Sequence, residues 1–177
     1  MLEHREFKPA TLSHISHYVS IRHFGPYDGV KEVWSRLIQF AFHQSIVGPK
    51  AVLFGVCPVC PGNVFPSELW YDACLAVSPE QHEFLTGKLG SKPEDNLHGI
   101  QINDLRVGST YMTIHRGPYS TIRETYTDAI IAGRVRGFDF EGHRLPTIEV
   151  YKNNPLLTKP EALITEIHFQ TGEKLVV

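Results

Sequence analysis

Cysteine is scarce in this sequence: Cys57, Cys60 and Cys74 are the only three among 177 residues. An odd number cannot all pair within one chain, so a disulfide framework is not what holds the fold together. Cys57 and Cys60 have CxxC spacing, but a structural zinc site takes about four ligands, usually from a second CxxC or a Cys/His pair. No second CxxC and no HxxxH-type pair occurs. No metal or cofactor is therefore expected, and CPVCPG reads as a Pro-rich loop. Long apolar runs are missing too, and a membrane-spanning helix would need about 20 such residues. The opening MLEHREFKPATLSH lacks the apolar stretch of a signal peptide. Nor does charge of one sign dominate, since 17 Lys and Arg against 19 Asp and Glu leave a net charge of −2. That balance offers no general attraction to nucleic acid, and a cytoplasmic setting is expected. Gly87, Gly90 and Gly99 do not make a phosphate loop, and no Ser–His–Asp signature is present.

What the chain does have is a repeated corner. HFGPYDGVKEVW (23–34) and HRGPYSTIRETY (115–126) share His, Gly, Pro, Tyr and Glu in register. A strand-like stretch precedes each corner, HYVSIRH and STYMTIH. After each comes a helical stripe: Val30, Val33, Trp34, Leu37, Ile38, Ala41 and Phe42 in the first, Ile122, Thr125, Tyr126, Ala129 and Ile130 in the second. Asp28 is placed to cap the first helix and Gly48-Pro49 to stop it. Thr121 and Glu124 form a capping box for the second, with Gly133 and Gly137 at its end. AVLFGV (51–56) and LWYDACLAV (69–77) read as strands of the first half, LPTIEVYKN (145–153) and ALITEIHF (162–169) as those of the second. The order strand, helix, strand, strand thus occurs twice. The fold expected is α+β, a duplicated βαββ unit with pseudo-twofold symmetry, antiparallel sheet or sheets, and two main helices around a central cleft. Half-repeats run over about 15–78 and 108–170, joined at 79–107 by a turn-rich linker with room for a short helix or strand.

Strand alternation points to a site. In 147–151, Ile148 and Val150 share one face, expected to lie under the helices, while Thr147, Glu149 and Tyr151 share the other. A carboxylate beside an aromatic ring suits an organic cation, because the ring face adds roughly 0.5–2 kcal/mol to the charge attraction. Tyr27, Trp70, Tyr71, Tyr119 and Tyr151 are candidates for the ring. Asp72 and Glu166 also sit within apolar strands. His23 and His115 precede the two corners at matching positions, which fits a shared task such as bonding the turn backbone.

IRHFGPY, LWYDACLAV, IHRGPY, PTIEVYKNNP and KPEALITEIHF together resemble the GyrI-like small-molecule-binding domain over about residues 15–170. That domain is also the effector-binding module of AraC-type and MerR-type transcription regulators. The resemblance implies that Glu149, with Tyr151 two positions on, meets cationic, lipophilic ligands, and that Tyr71 and Asp72 are the matching aromatic-acid element of the first half. It implies a stand-alone domain without a DNA-binding helix-turn-helix. Three readings follow. One is a binding module for cationic amphipathic molecules, acting as a buffer or as the sensor lobe of a separate regulator. Another is a gyrase-inhibitor-like interaction module whose partner is DNA gyrase. The last is a hydrolase of strained-ring alkylating compounds, in which Glu149 acts with Tyr119 or Tyr151. No direct contact with nucleic acid or membrane is expected.

Overall fold

A computed structural model describes residues 6–58, 65–90 and 92–171. The partner thiol of the CxxC pair, Cys60, lies outside the described residues. In chain order the strands are β1 (Lys8–Ala10), β2 (His17–Phe24), β3 (Leu53–Cys57), β4 (Trp70–Val77), β5 (Gln101–Asp104), β6 (Thr110–Arg116), β7 (Thr147–Tyr151) and β8 (Ile164–Gln170). The helices are α1 (Val30–His43), α2 (Pro79–Leu89), α3 (Ile122–Val135) and the single turn α4 (Phe140–His143). The chain divides into two compact units. One comprises residues 13–56 and 66–106, the other 1–12, 57–65 and 107–177.

In the first unit the strand order is β3-β4-β2-β5, all antiparallel. Helix α1 packs on β2 and β4 and buries Val33, Trp34, Leu37 and Ala41 of its expected stripe together with Phe40, while Phe42, expected within the stripe, is exposed. In the second unit the order is β7-β8-β6-β1, again antiparallel. There Tyr126, Ala129 and Ile130 of α3 meet Phe138, Phe140, Ile167 and Phe169 in one buried cluster. Phe140 and Phe169 lie 5.0 Å apart, Tyr126 and Phe169 5.6 Å in edge contact. Each such ring, once fully buried, contributes about 1.5–3 kcal/mol. The protein is thus α+β, with antiparallel strands and two main helices.

Both Gly-Pro-Tyr corners are built the same way. Gly25 (φ +96°) and Gly117 (φ +108°) take a left-handed backbone that favours glycine. Their N–H groups donate to the Leu69 and Leu163 carbonyls at 2.8 and 3.0 Å. The following Pro leads into a 3-10 turn, Tyr27–Gly29 or Tyr119–Thr121, from which the long helix continues. His23 Nε2 donates to the Pro26 carbonyl at 2.7 Å, and His115 Nε2 to that of Pro118 at 3.1 Å. Buried His115 also has its Nδ1 2.8 Å from the Thr125 hydroxyl. The two histidines therefore tie the corner to the strand that precedes it.

Several local expectations are corrected. Asp28 makes no cap; it lies inside the 3-10 turn, and Gly29 occupies the N-cap of α1 without a side-chain bond. Thr121 sends its hydroxyl back to the Pro118 carbonyl rather than forward into α3, so the capping box is not formed. The helix α1 ends at His43, ahead of Gly48-Pro49, with Ser45 at φ 55° turning the chain. The 79–107 linker, where a short helix or strand is expected, carries one of each, α2 and β5. The N-terminus of α2 carries a full capping box: Ser78 accepts from the Gln81 N–H, and the Gln81 side chain accepts from the Ser78 N–H, with Pro at N1.

Gly133 does not end α3; it lies within the helix, buried where Phe140 packs against it. A Cβ there would collide with the Phe140 ring, whereas one at Gly87 in α2 would meet nothing within 4 Å. Ala for Gly ordinarily steadies a helix by about 1 kcal/mol. Gly87→Ala is therefore expected to raise stability, and Gly133→Ala to lower it by about 1–3 kcal/mol through overpacking. Urea unfolding of the two variants checks this, and a stabilised Gly133→Ala would contradict the packing described.

Candidate ligand-binding site

Glu149 sits at the middle of β7, in the second unit. The Tyr126 hydroxyl donates to its Oε1 at 2.6 Å, and the Tyr151 hydroxyl to its Oε2 at 3.1 Å. Thr147 Oγ1 lies 3.1 Å from Tyr126 Oη and 3.3 Å from the Cys57 thiol. That thiol points at Oε1 from 3.9 Å, a weak contact. The Tyr119 and Tyr151 rings meet edge to face at 6.0 Å. Glu149, Tyr151 and Tyr119, all expected from the sequence, are thus brought together. Thr147, placed on the same strand face by alternation, joins them, and Tyr126 and Cys57 do so without any signal in the sequence that marks them for it.

The face assignment reverses. Thr147, Glu149 and Tyr151 do share one side of β7, but it is the side that α3 covers through Tyr126. Register agrees, since Glu149 pairs with Ile167 and Thr147 with Phe169, and both partners belong to the α3 cluster. Alternation sorts residues between two faces but does not say which face receives the helix. A tyrosine hydroxyl reaching out of the apolar stripe is what admits a glutamate beneath α3.

Desolvation governs the electrostatics. Glu149 keeps some exposure, yet burial holds its pKa above the usual carboxylate value, outweighing the hydrogen bonds from Tyr126, Tyr151 and Cys57 that pull it down. Among the described residues the groups acting on it are hydroxyls and a thiol, and no cation is one of them. Burial first, then Cys57 and Glu149, pushes the Tyr126 phenol well above its ordinary value. Tyr119 is pushed to about 12, chiefly by burial. Both are neutral donors near pH 7. The result is a partly desolvated carboxylate, oriented at two points, whose negative charge has no positive partner among the described residues.

The first unit arranges its candidates differently. Tyr71 is packed between Tyr27 and Trp34, at ring distances of 6.0 and 6.4 Å. Asp72 is buried and held by Arg22 through two bonds of 2.7 Å, Nε to Oδ1 and Nη2 to Oδ2. The Arg22 guanidinium also stacks over Trp70 at 4.4 Å. Asp72 therefore has its counter-ion already. Gly55 pairs with Ala73 as Glu149 pairs with Ile167. A Cβ on Gly55 would strike the Tyr71 hydroxyl. Where β7 carries an acid, β3 carries no side chain and a phenol fills the space.

A profile of the GyrI-like small molecule binding domain matches residues 16–170. The chain belongs to this family. Solved structures with the GyrI-like fold include the C-terminal domain of EcmrR, with a TM-score of 0.70 at 16% identity, 98% of this chain and 99% of that one being covered. An uncharacterized conserved protein from Listeria innocua has a TM-score of 0.63 at 14% identity, covering 95% and 93%. A hydrolase from the same organism has a TM-score of 0.60 at 14% identity, covering 95% and 92%. At such identities the likeness is one of fold. No curated protein matches the sequence. In this GyrI-like chain no helix among the described residues is long and apolar enough to cross a membrane.

Proposed function

We propose that this domain binds cationic, lipophilic small molecules at Glu149, with Tyr151 and Tyr119 as the aromatic contacts, and that it serves as a sensor or sequestering module in the cytoplasm. The observation that carries the reading is the unpaired charge. A carboxylate kept above its normal pKa by desolvation gains most when a cation arrives, because the ligand supplies the charge the protein withholds. Tyr126 and Tyr151 fix its two oxygens in advance, so little ordering remains to be done on binding. The ring pair adds cation–π and apolar contact. Asp72 is left out of the ligand contacts in this proposal, since Arg22 already neutralises it, and Tyr27, Tyr71 and Trp70 act as packing residues of the first unit. The like order of elements in the two units supports descent from one duplicated βαββ piece.

The test is fluorescence titration of the protein with matched cationic and neutral lipophilic dyes, wild type against Glu149→Gln. Selective binding of the cations, weakened at least about tenfold in the variant, is expected; tenfold corresponds to about 1.4 kcal/mol. Equal affinity in the two proteins would remove Glu149 from the site and return weight to a partner-binding role of the gyrase-inhibitor type.

One observation favours a second reading. A glutamate with raised pKa, hydrogen-bonded to two phenols, has the parts of a general base with an assisting acid. A hydrolytic role would show itself as turnover of an electrophilic strained-ring substrate that Glu149→Gln abolishes while binding persists.

A further inference from the structure

Three side chains outside this site converge in the first unit: His17 at the start of β2, His82 on α2 and Asp104 at the end of β5. His17 Nδ1 lies 2.8 Å from Asp104 Oδ1, and His82 Nε2 lies 3.4 Å from that same oxygen. The two imidazole rings face each other at 4.5 Å between centroids. One ligand atom from each residue falls within 4.8 Å of the others.

The geometry points to a binding site for a first-row divalent transition metal ion of the zinc class, held by His17 Nδ1, His82 Nε2 and the Asp104 carboxylate. Zinc bonds to nitrogen and oxygen run about 2.0–2.1 Å, which places tetrahedral ligand atoms roughly 3.4 Å apart. The distances of 2.8 and 3.4 Å reach up to that value. Two imidazoles and one carboxylate are borderline ligands that suit zinc, cobalt, nickel or copper and not calcium or magnesium. Side-chain exposures of 26%, 24% and 44% leave the trio open to solvent, so water can complete the coordination shell. Arg106 stands 3.8 Å from Asp104 Oδ2 and is 88% exposed, free to swing away as the metal's charge arrives. The ion replaces the hydrogen bond between His17 Nδ1 and Asp104, binding the neutral His17 tautomer whose single ring proton sits on Nε2.

What the site would do follows from its placement. β5 is the edge strand of its unit and α2 is joined to it through few packed residues, with Leu85 the one buried side chain of that helix. An ion held by residues of β2, α2 and β5 ties helix and edge strand to the sheet. The sequence hides it, because the three ligands are 65 residues and then 22 residues apart and form no local motif.

The test uses tag-free full-length protein titrated with Co2+ and read by visible absorption, followed by displacement with Zn2+ and a thermal melt with and without Zn2+. Saturation at one ion per chain is expected, with d–d bands of nitrogen and oxygen coordination, no thiolate charge transfer, and a raised melting temperature. Asp104→Asn and His82→Gln, both at part-exposed positions and checked for folding by circular dichroism, should weaken binding roughly tenfold or more. No saturable Co2+ binding by the wild type, equal affinity in all three proteins, or a thiolate charge-transfer band would each overturn the assignment.

Discussion

At pH 8 a Glu149→Gln variant unfolds at a higher temperature than the wild type, by about 2–4 °C if roughly 1 kcal/mol is recovered. The difference disappears as the pH is lowered. The folded pKa of Glu149 is raised by desolvation, so the folded state prefers the protonated acid. Below the unfolded value of about 4.3 both states are protonated and burial of the side chain carries no charge penalty. As pH rises through the raised folded pKa, the protein must keep a charge that the unfolded chain hydrates better, and stability falls. The amide that Glu149→Gln introduces carries no charge at any pH. Its oxygen still accepts from Tyr126, and its NH2 group can donate to the Tyr151 oxygen. Cation binding follows the opposite course in the wild type, strengthening as Glu149 ionises. Melting curves and dye titrations across pH 4 to 8 check both halves. A wild type more stable than Glu149→Gln at pH 8 would mean the carboxylate is compensated after all, and the proposed site would lose its basis.

Replacing Arg22 with Met is expected to cost about 3 kcal/mol, the lower end of the range for removing one partner of a buried ion pair. Asp72 is only 4% exposed and would be left charged without its bidentate partner. The lower end applies because the Arg22 side chain is 36% exposed, which lets water reach the vacated place. Arg22 and Asp72 are also direct partners across β2 and β4, so the damage falls in the middle of the sheet. The double variant Arg22→Met/Asp72→Leu should recover most of the loss, since neither charge then remains. Denaturant unfolding of both variants decides the matter. A double variant as weak as the single would assign the loss to the stacking of Arg22 on Trp70 instead of to the stranded acid.

The large elements are legible because their signals are local. The helical stripe that starts at Val30, the apolar run in 69–77 and the alternation in 147–151 each fix an element within one stretch of chain. The twin corners can be read because Gly, Pro and a preceding His do the same backbone work twice. What escapes is settled by tertiary pairing. β1 and β5 are three and four residues long and exist because β6 and β2 offer them partners. The capping box at Ser78 and Gln81 is visible in SPEQ but lies in a segment rich in turn formers, where the weak apolar pattern of α2 gives it no support. Glu149, Tyr151 and Tyr119 are found by type and spacing. Tyr126 looks like one more member of a stripe, and only the fold shows its hydroxyl reaching the carboxylate. Asp72 stands out for being acidic within a strand, a criterion blind to the Arg22 that faces it.

The bare backbone at Gly55 bears on how this protein can change over generations. An acidic residue cannot simply arise there, because the Tyr71 hydroxyl occupies the volume its first side-chain carbon would need. An acid at this position would require Tyr71 to shrink beforehand, and that step opens a hole beside Trp34 and Tyr27. If the proposed cation site at Glu149 holds, the simpler route to new ligands runs through Tyr119 and Tyr151, which line that group and can be exchanged one at a time.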